Sequence, residues 1–268
     1  MVGNTFDIRT KEKAQKTLTK LTGVHSSIWA QKMGHEHEYE CQEHFMADII
    51  RTYGYLPKNY RELDFVYFHV TSSANDCKSF RKHGILDLKK SYMCDDSELK
   101  QFLECRDIYI DLEKKILKYH KKEFDITYRP GPKRNHIEKL AWAVGRKFFY
   151  DYTTCGFFSI CADTPYGGQV HRRPEILEDI GKLLQLNLEQ EWIKTHKPYE
   201  IVVKISGNQI VYCGSEDDSE EEKVLRYLVK AYMTFKEGTS EEPVLMKNGV
   251  QIMPSDIIEI KPFSSSWY

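Results

Sequence analysis

The chain has 268 residues, 41% of them hydrophobic and 29% charged, with 39 Lys and Arg against 40 Asp and Glu. A formal net charge of −1 gives no global attraction to nucleic-acid phosphate and leaves local basic patches as the electrostatic route to such a partner. No apolar run of about eighteen residues marks a membrane span. The polar, Lys-rich residues 1–20 carry no secretory signal, so a folded cytoplasmic protein with no membrane partner is expected.

Residues 10–54 read as helical, with Ile28, Phe45, Met46, Ile49, Ile50 and Tyr53 at helical spacing in the second half. Leu56-Pro57-Lys58-Asn59 breaks that pattern. Residues 64–70 are a compact aromatic and β-branched run, the mark of a buried strand. A short helix is expected over 72–83, capped by the Thr71, Ser72 and Ser73 hydroxyls and closed by Gly84. A helical turn at 97–105 and a strand at 108–112 come next. Residues 114–122 and 129–134 are basic stretches interleaved with Tyr119, Phe124 and Tyr128.

The clearest helix covers 136–152, where Ile137, Leu140, Ala141, Val144, Phe148 and Tyr152 form an apolar stripe. A turn or strand at 156–160 leads into a loop at 164–168. Pro174 opens a helix to residue 186, and Trp192 lies just beyond. Strands 199–205 and 209–212 flank Ser206-Gly207-Asn208 as a hairpin. The acidic opening at 215–222 starts a helix to 235, and short strands at 243–246 and 257–260 close the chain. The class is α+β, divided into an N-terminal helical segment (1–60) and an α+β unit (61–268).

Seven cysteines, with no C-x-x-C pair and no export signal, read as free thiols, most of them small buried apolar residues. His37, Cys41 and His44 would share one face if 35–44 were helical. The alternating Glu residues make a solvated face the better reading, and no metal site is assigned. Gly167-Gly168-Gln169-Val170-His171-Arg172-Arg173-Pro174 delivers His171, Arg172 and Arg173 to a helix start. There they would bind an acceptor or phosphate, or else pair with Glu175, Glu178 and Asp179. No nucleophile elbow or phosphate-binding loop of a known enzyme template is present.

Val66-Tyr67-Phe68-His69-Val70-Thr71-Ser72, a helix, and then His83-Gly84-Ile85-Leu86 resemble the opening of the ADP-ribosyltransferase fold. Poly-ADP-ribose polymerases, RNA 2′-phosphotransferases and DNA-targeting toxins share that fold. The resemblance implies a mixed β-sheet core and NAD as substrate. His69 would hydrogen-bond the adenosine ribose, with Thr71 or Ser72 nearby. Glu241-Glu242 before the strand at 243–246 resembles the family's glutamate at the fold's end, so Glu242 or Glu241 would stabilise an oxocarbenium-like transition state. Glu200 and Glu259 are the fallback carboxylates. Tyr92, Tyr150, Tyr152 and Tyr166 are the aromatics available to stack on nicotinamide. The implied activity is NAD-dependent ADP-ribosyl transfer to a protein or nucleic-acid acceptor, by a toxin or phage-defence effector. The alternative is a non-catalytic nucleic-acid- or protein-binding module that uses the aromatic and basic loops.

Overall fold

The computed structural model describes residues 4–129, 131, 135–160 and 169–263. The chain begins with β1 (Thr5–Asp7), α1 (Lys11–Thr22), α2 (Ser26–Lys32) and α3 (Gln42–Tyr53), then the long strand β2 (Asp64–Ser73). Three short helices follow, α4 (Lys78–His83), α5 (Leu88–Met93) and α6 (Glu98–Glu104). A small meander of β3 (Ile108–Asp111), β4 (Ile116–Tyr119) and β5 (Lys122–Asp125) leads to α7 (His136–Phe149) and β6 (Cys155–Ser159). After α8 (Ile176–Leu184) and α9 (Leu188–Thr195) comes the second long strand, β7 (Lys197–Ser206). The chain closes with α10 (Glu220–Glu237), β8 (Glu242–Leu245) and β9 (Ile257–Pro262).

The main sheet runs β8-β6-β2-β7-β9, all antiparallel, with β1 added in parallel to β2. β2 and β7 pair along their whole lengths, from Asp64 opposite Ser206 to Ser73 opposite Lys197. Alternation along β2 sends Phe65 and Tyr67 to one face, where they meet Ile201, Val203 and Ile205 of β7 and the apolar sides of α1, α3 and α10. Val66, Phe68 and Val70 face the other way, into a small core with Val202, Ile160 and Phe263. A second large core gathers α5 to α9 over the β3–β5 meander and includes Tyr92, Phe102, Phe148 and Trp192.

Helix and sheet are mixed as the α+β class requires. β1 pairs with the central strand and α1 packs on α10, so residues 4–53 share the main core with the sheet. No helix among the described residues is long and apolar enough to cross a membrane.

Several local expectations change. β2 continues through Ser72 and Ser73, so those hydroxyls do not cap a helix at 72. Ser73 Oγ instead accepts from the Asn75 and Cys77 amides and sets the turn into α4. Residues 209–212 do not fold back on β7; Ile210 bridges to Met246 beside β8. Ile137 is exposed, and Tyr152 lies beyond the end of α7. Trp192 belongs to its own helix, α9. Of the described cysteines only Cys77 is buried; Cys105, Cys155 and Cys213 are exposed.

Residues 35–44 are not one helix. His37 lies in a 3₁₀ turn, Tyr39 is extended, and Cys41 caps α3, which removes the shared face of His37, Cys41 and His44.

The two cores are joined where Trp192 Nε1 donates to Ser72 Oγ at 2.7 Å, with Trp192 fully packed beneath Phe102 and His196. Trp192→Phe keeps most of the packing but loses this donor, and it is expected to cost about 1 kcal/mol. Trp192→Ala adds a large cavity and is expected to cost about 3–5 kcal/mol. Urea unfolding of the two variants checks the order; no loss in Trp192→Phe would show that the hydrogen bond contributes nothing.

Candidate functional site

The end of β2 opens into a cavity of about 990 Å³, mouth included. A concave pocket with a few convergent polar groups is where a small molecule is expected to bind. His69, Thr71 and Ser72 line it from the central strand. Helices α4 to α6 supply Phe80, Asp87, Ser91 and Glu98; the segment before β6 supplies Asp151, Thr153 and Thr154; and Trp192 closes the back. The cavity opens on the β6 side of β2, past the pairing of Phe68 with Phe157, while β2 stays paired with β7 as far as Ser73.

His69 Nδ1 is 2.9 Å from the Cys155 carbonyl oxygen. A carbonyl only accepts, so the proton is on Nδ1 and Nε2 keeps its lone pair. Burial holds the imidazole below its ordinary range, partly offset by the Cys155 carbonyl. A neutral ring with Nε2 free to accept suits a ligand hydroxyl. The Thr154 hydroxyl is buried in the lining with no partner among the described residues, which makes it a second polar group available to a ligand.

Glu98 is the most firmly held carboxylate of the lining. It accepts from Ser73 Oγ at 2.7 Å and from the Ala74 amide at 2.6 Å, and His196 Nε2 is 3.4 Å away. His196 lies flat on Trp192, with ring centres 3.4 Å apart at 11°. Asp87 caps α5 by accepting from the Lys90 amide and pairs with Lys90 Nζ at 3.0 Å. Asp151 is more open and faces Lys147 at 3.6 Å. Cys155 also lines the cavity. Desolvation of the sulfur by the surrounding cavity wall, then the Asp151 and Glu175 charges, push its thiol up even though the residue keeps an exposed surface, so it is a poor nucleophile at neutral pH.

Backbone strain lies beside this cluster. Asp76 and Cys77 hold φ of 58° and 59°, a conformation costly for a residue with a side chain. Tyr199 Oη donates to Asp76 Oδ1 at 2.5 Å, and Ser73 Oγ holds the Cys77 amide at 2.9 Å, which keeps the turn in place. The Asp76 carboxylate pushes the Tyr199 hydroxyl up to about 12.

The other sequence-derived residues are dispersed. Glu242 opens β8 opposite Ser159, at the far end of β6 from the Cys155 carbonyl that holds His69, and it pairs with Lys230. Along the strand that separation is about 13 Å. Glu241 is exposed next to it. Neither lines the His69 cavity, and neither do Glu200, which pairs with Lys261 at 3.2 Å, nor Glu259 on β9. Tyr92 is core, packed edge-on to Phe148, and burial pushes its hydroxyl up to about 12. Tyr166 lies outside the described residues.

His171 is buried and stacked on Phe263. Arg173 is buried between Glu178, at 2.8 Å, and Glu189, so its charge is matched within the protein. Arg172 is partly buried between them.

Tyr150 and Tyr152 line a second groove with Tyr128, Phe149, Lys89, Lys115 and Glu113. Tyr150 and Tyr152 are about half exposed, and Tyr128 meets Tyr150 edge-on at 4.4 Å. Lys89 and Lys115 both reach over Phe149, at 5.6 and 5.1 Å. The groove shares its wall with the cavity. Tyr150 and Tyr152 alternate with Asp151 and Thr153, and Lys89 follows Leu88 on α5.

Comparison with protein-family models, with curated proteins and with solved structures returns no match. The short sequence resemblance and the geometry therefore carry the functional reading between them. The sequence alone pointed to His69, Thr71 and Ser72 but not to Glu98, Asp87, Asp151 or Thr154. Ser97-Glu98 reads as an ordinary helix start, and only the Ser73 and Ala74 contacts bring that carboxylate to the strand end.

His69, His171 and His196 are all held below 6.5, in each case chiefly by burial. The unfolded chain therefore takes up protons first as the pH falls through about 6.5. Stability present above that pH is lost as it drops further toward the folded values. The urea midpoint is expected to fall between about pH 7 and pH 5.5, and less steeply in His196→Gln. A flat midpoint across that window would show that these histidines are not buried in their neutral form.

Proposed function

We propose that the chain is an NAD-dependent ADP-ribosyltransferase-like enzyme whose NAD site is the His69 cavity. The observation that supports this is the convergence of His69, Thr71 and Ser72 with Glu98, Asp87 and Asp151 in one cavity at the end of the central strand. His69 Nε2 accepts from a ribose hydroxyl, and the Thr71 and Thr154 hydroxyls bond the neighbouring polar groups. Phe80, whose ring centre is 6.3 Å from that of His69, is the aromatic best placed to cover a planar group.

The reaction breaks the bond between the nicotinamide nitrogen and ribose C1, the electron pair leaving with neutral nicotinamide. Positive charge grows on the ribose. A carboxylate already held by the Ser73 hydroxyl and the Ala74 amide stabilises that charge without reorganising, and Glu98 meets that requirement. The acceptor then bonds to C1 and gives up its proton to solvent or to a nearby carboxylate. The acceptor is a protein or nucleic acid in a cytoplasmic setting, and the toxin-like resemblance makes a conflict or phage-defence role part of the same proposal.

Incubation of the full chain with labelled NAD and candidate acceptors, followed by mass spectrometry, tests the reading. His69→Ala is expected to raise the KM for NAD by about two- to tenfold, the worth of one hydrogen bond. Glu98→Gln is expected to lower kcat by about 10²–10³-fold. Glu242→Gln separates the carboxylate implied by the resemblance from the one in the cavity. Loss of turnover in Glu242→Gln with Glu98→Gln unaffected would move the catalytic role to β8. No NAD consumption with any acceptor would remove the enzyme reading.

The second reading is a nucleic-acid-binding module, favoured by the groove of Tyr128, Tyr150, Tyr152, Lys89 and Lys115. Exposed rings beside cations suit stacking of unpaired bases with phosphate contacts. Anisotropy with short single-stranded oligonucleotides is expected to show a loss of about 1–3 kcal/mol for Tyr150→Ala and for Tyr152→Ala, and a strong dependence on salt. Binding unchanged in both variants would rule the groove out.

A further inference from the structure

Where the ends of α4 and α5 meet, outside the lining of the cavity, three donors of different chemistry come together. α4 ends at His83, and Cys94 follows directly after α5, two positions before Asp96. A His83 ring nitrogen, Cys94 Sγ and an Asp96 carboxylate oxygen all lie within 4.8 Å of one another, and all three residues are partly buried. His83 Nε2 is 2.9 Å from Asp96 Oδ1, while Asp96 Oδ2 faces Lys82 Nζ at 3.4 Å. The Cys94 thiol makes only a weak bond, to the Lys90 carbonyl at 3.4 Å.

We propose that His83, Cys94 and Asp96 bind one divalent cation of the zinc class, which ties the end of α4 to the α5–α6 turn. Imidazole, thiolate and carboxylate are the donors that a borderline-soft, tetrahedral ion takes, with water in the fourth position. Magnesium and calcium require oxygen cages and are poorly served by one carboxylate. Ligand bonds of about 2.0–2.3 Å in a tetrahedron place donors about 3.3–3.7 Å apart, so side-chain movements of about 1 Å close the site. Binding replaces the thiol proton of Cys94, which leaves to solvent, and no electron is transferred. Thiolate and carboxylate balance the 2+ charge, and Lys82 keeps the carboxylate oxygen that the metal does not use.

The scaffold under the site is firm. Gly84, directly after His83, has φ of +77°, and a Cβ there would sit 1.8 Å from the Ile252 carbonyl oxygen. Only glycine allows that approach. Ile85 then bridges to Ile252, which pins the link between α4 and α5 to the chain before β9. α4 and α5 supply Ser79, Phe80, Leu88 and Ser91 to the His69 cavity, so the cation fixes the spacing of that wall whatever the cavity binds.

The test uses the full chain, stripped with chelator and titrated with zinc against a chromophoric competitor. One equivalent is expected to bind and to raise Tm, whereas magnesium does not. Cobalt in place of zinc is expected to give a thiolate-to-metal charge-transfer band. His83→Ala, Cys94→Ser and Asp96→Asn are each expected to weaken zinc binding at least tenfold and to abolish the zinc-dependent rise in Tm, measured against the Tm of the same variant without metal. A wild-type cobalt complex with no thiolate band overturns the proposal without relying on any variant. So does zinc binding that is absent, or that is equal in wild type and all three variants.

Discussion

The ten-residue antiparallel pairing of β2 with β7 is the constraint on which the rest of the molecule depends. A strand has only two faces, and a shift of one residue would exchange them. In this register Phe65 and Tyr67 reach the large core under α1, α3 and α10, and Val66, Phe68 and Val70 reach the small one. Apolar contacts hold the pairing up to about His69. Beyond that point the strand carries polar side chains, Thr71, Ser72 and Ser73, and the candidate site begins there. Burial of the first half thus positions the chemistry of the second.

The polar end of β2 also joins the two large cores. Ser72 receives the Trp192 indole from the second core, and Ser73 donates to Glu98 on α6. His196, stacked on Trp192, approaches the same carboxylate. The hydroxyls that read as a helix cap are therefore the links between sheet and lobe. Satisfying them within the protein leaves fewer groups for a ligand, and His69 Nε2, Thr71 and Thr154 are among those that remain in the lining. The left-handed pair Asp76 and Cys77 shows how tightly this corner is turned.

Local chemistry was readable wherever the pattern is repetitive. The β2, α6, α7, α10, β8 and β9 segments announce themselves by apolar periodicity and by their boundary residues. Ser219 and Glu222, for example, form the reciprocal cap that starts α10. Errors fell where a contact distant in the chain overrides a local preference. Ile210 has the makings of a hairpin strand but bridges to Met246. His37, Cys41 and His44 have helical spacing, but the extended backbone at Tyr39 breaks it. Cysteines expected in the core lie mostly at partly exposed or exposed positions, because a small thiol adds too little apolar area to dictate burial.

The order of residues alone settled the α+β class and the buried strand as far as Val70, since both follow from side-chain pattern within about ten neighbours, while the short resemblance singled out His69. The carboxylates that share the cavity are a different matter. Glu98 is paired with Ser73 across 25 positions in the chain, and Trp192 with Ser72 across 120. Glu242, a credible partner for His69 on motif grounds, is carried by the β6–β8 register to the opposite end of β6. Which charges stand together is a property of strand pairing and core packing, and those act between segments whose sequences contain no record of each other.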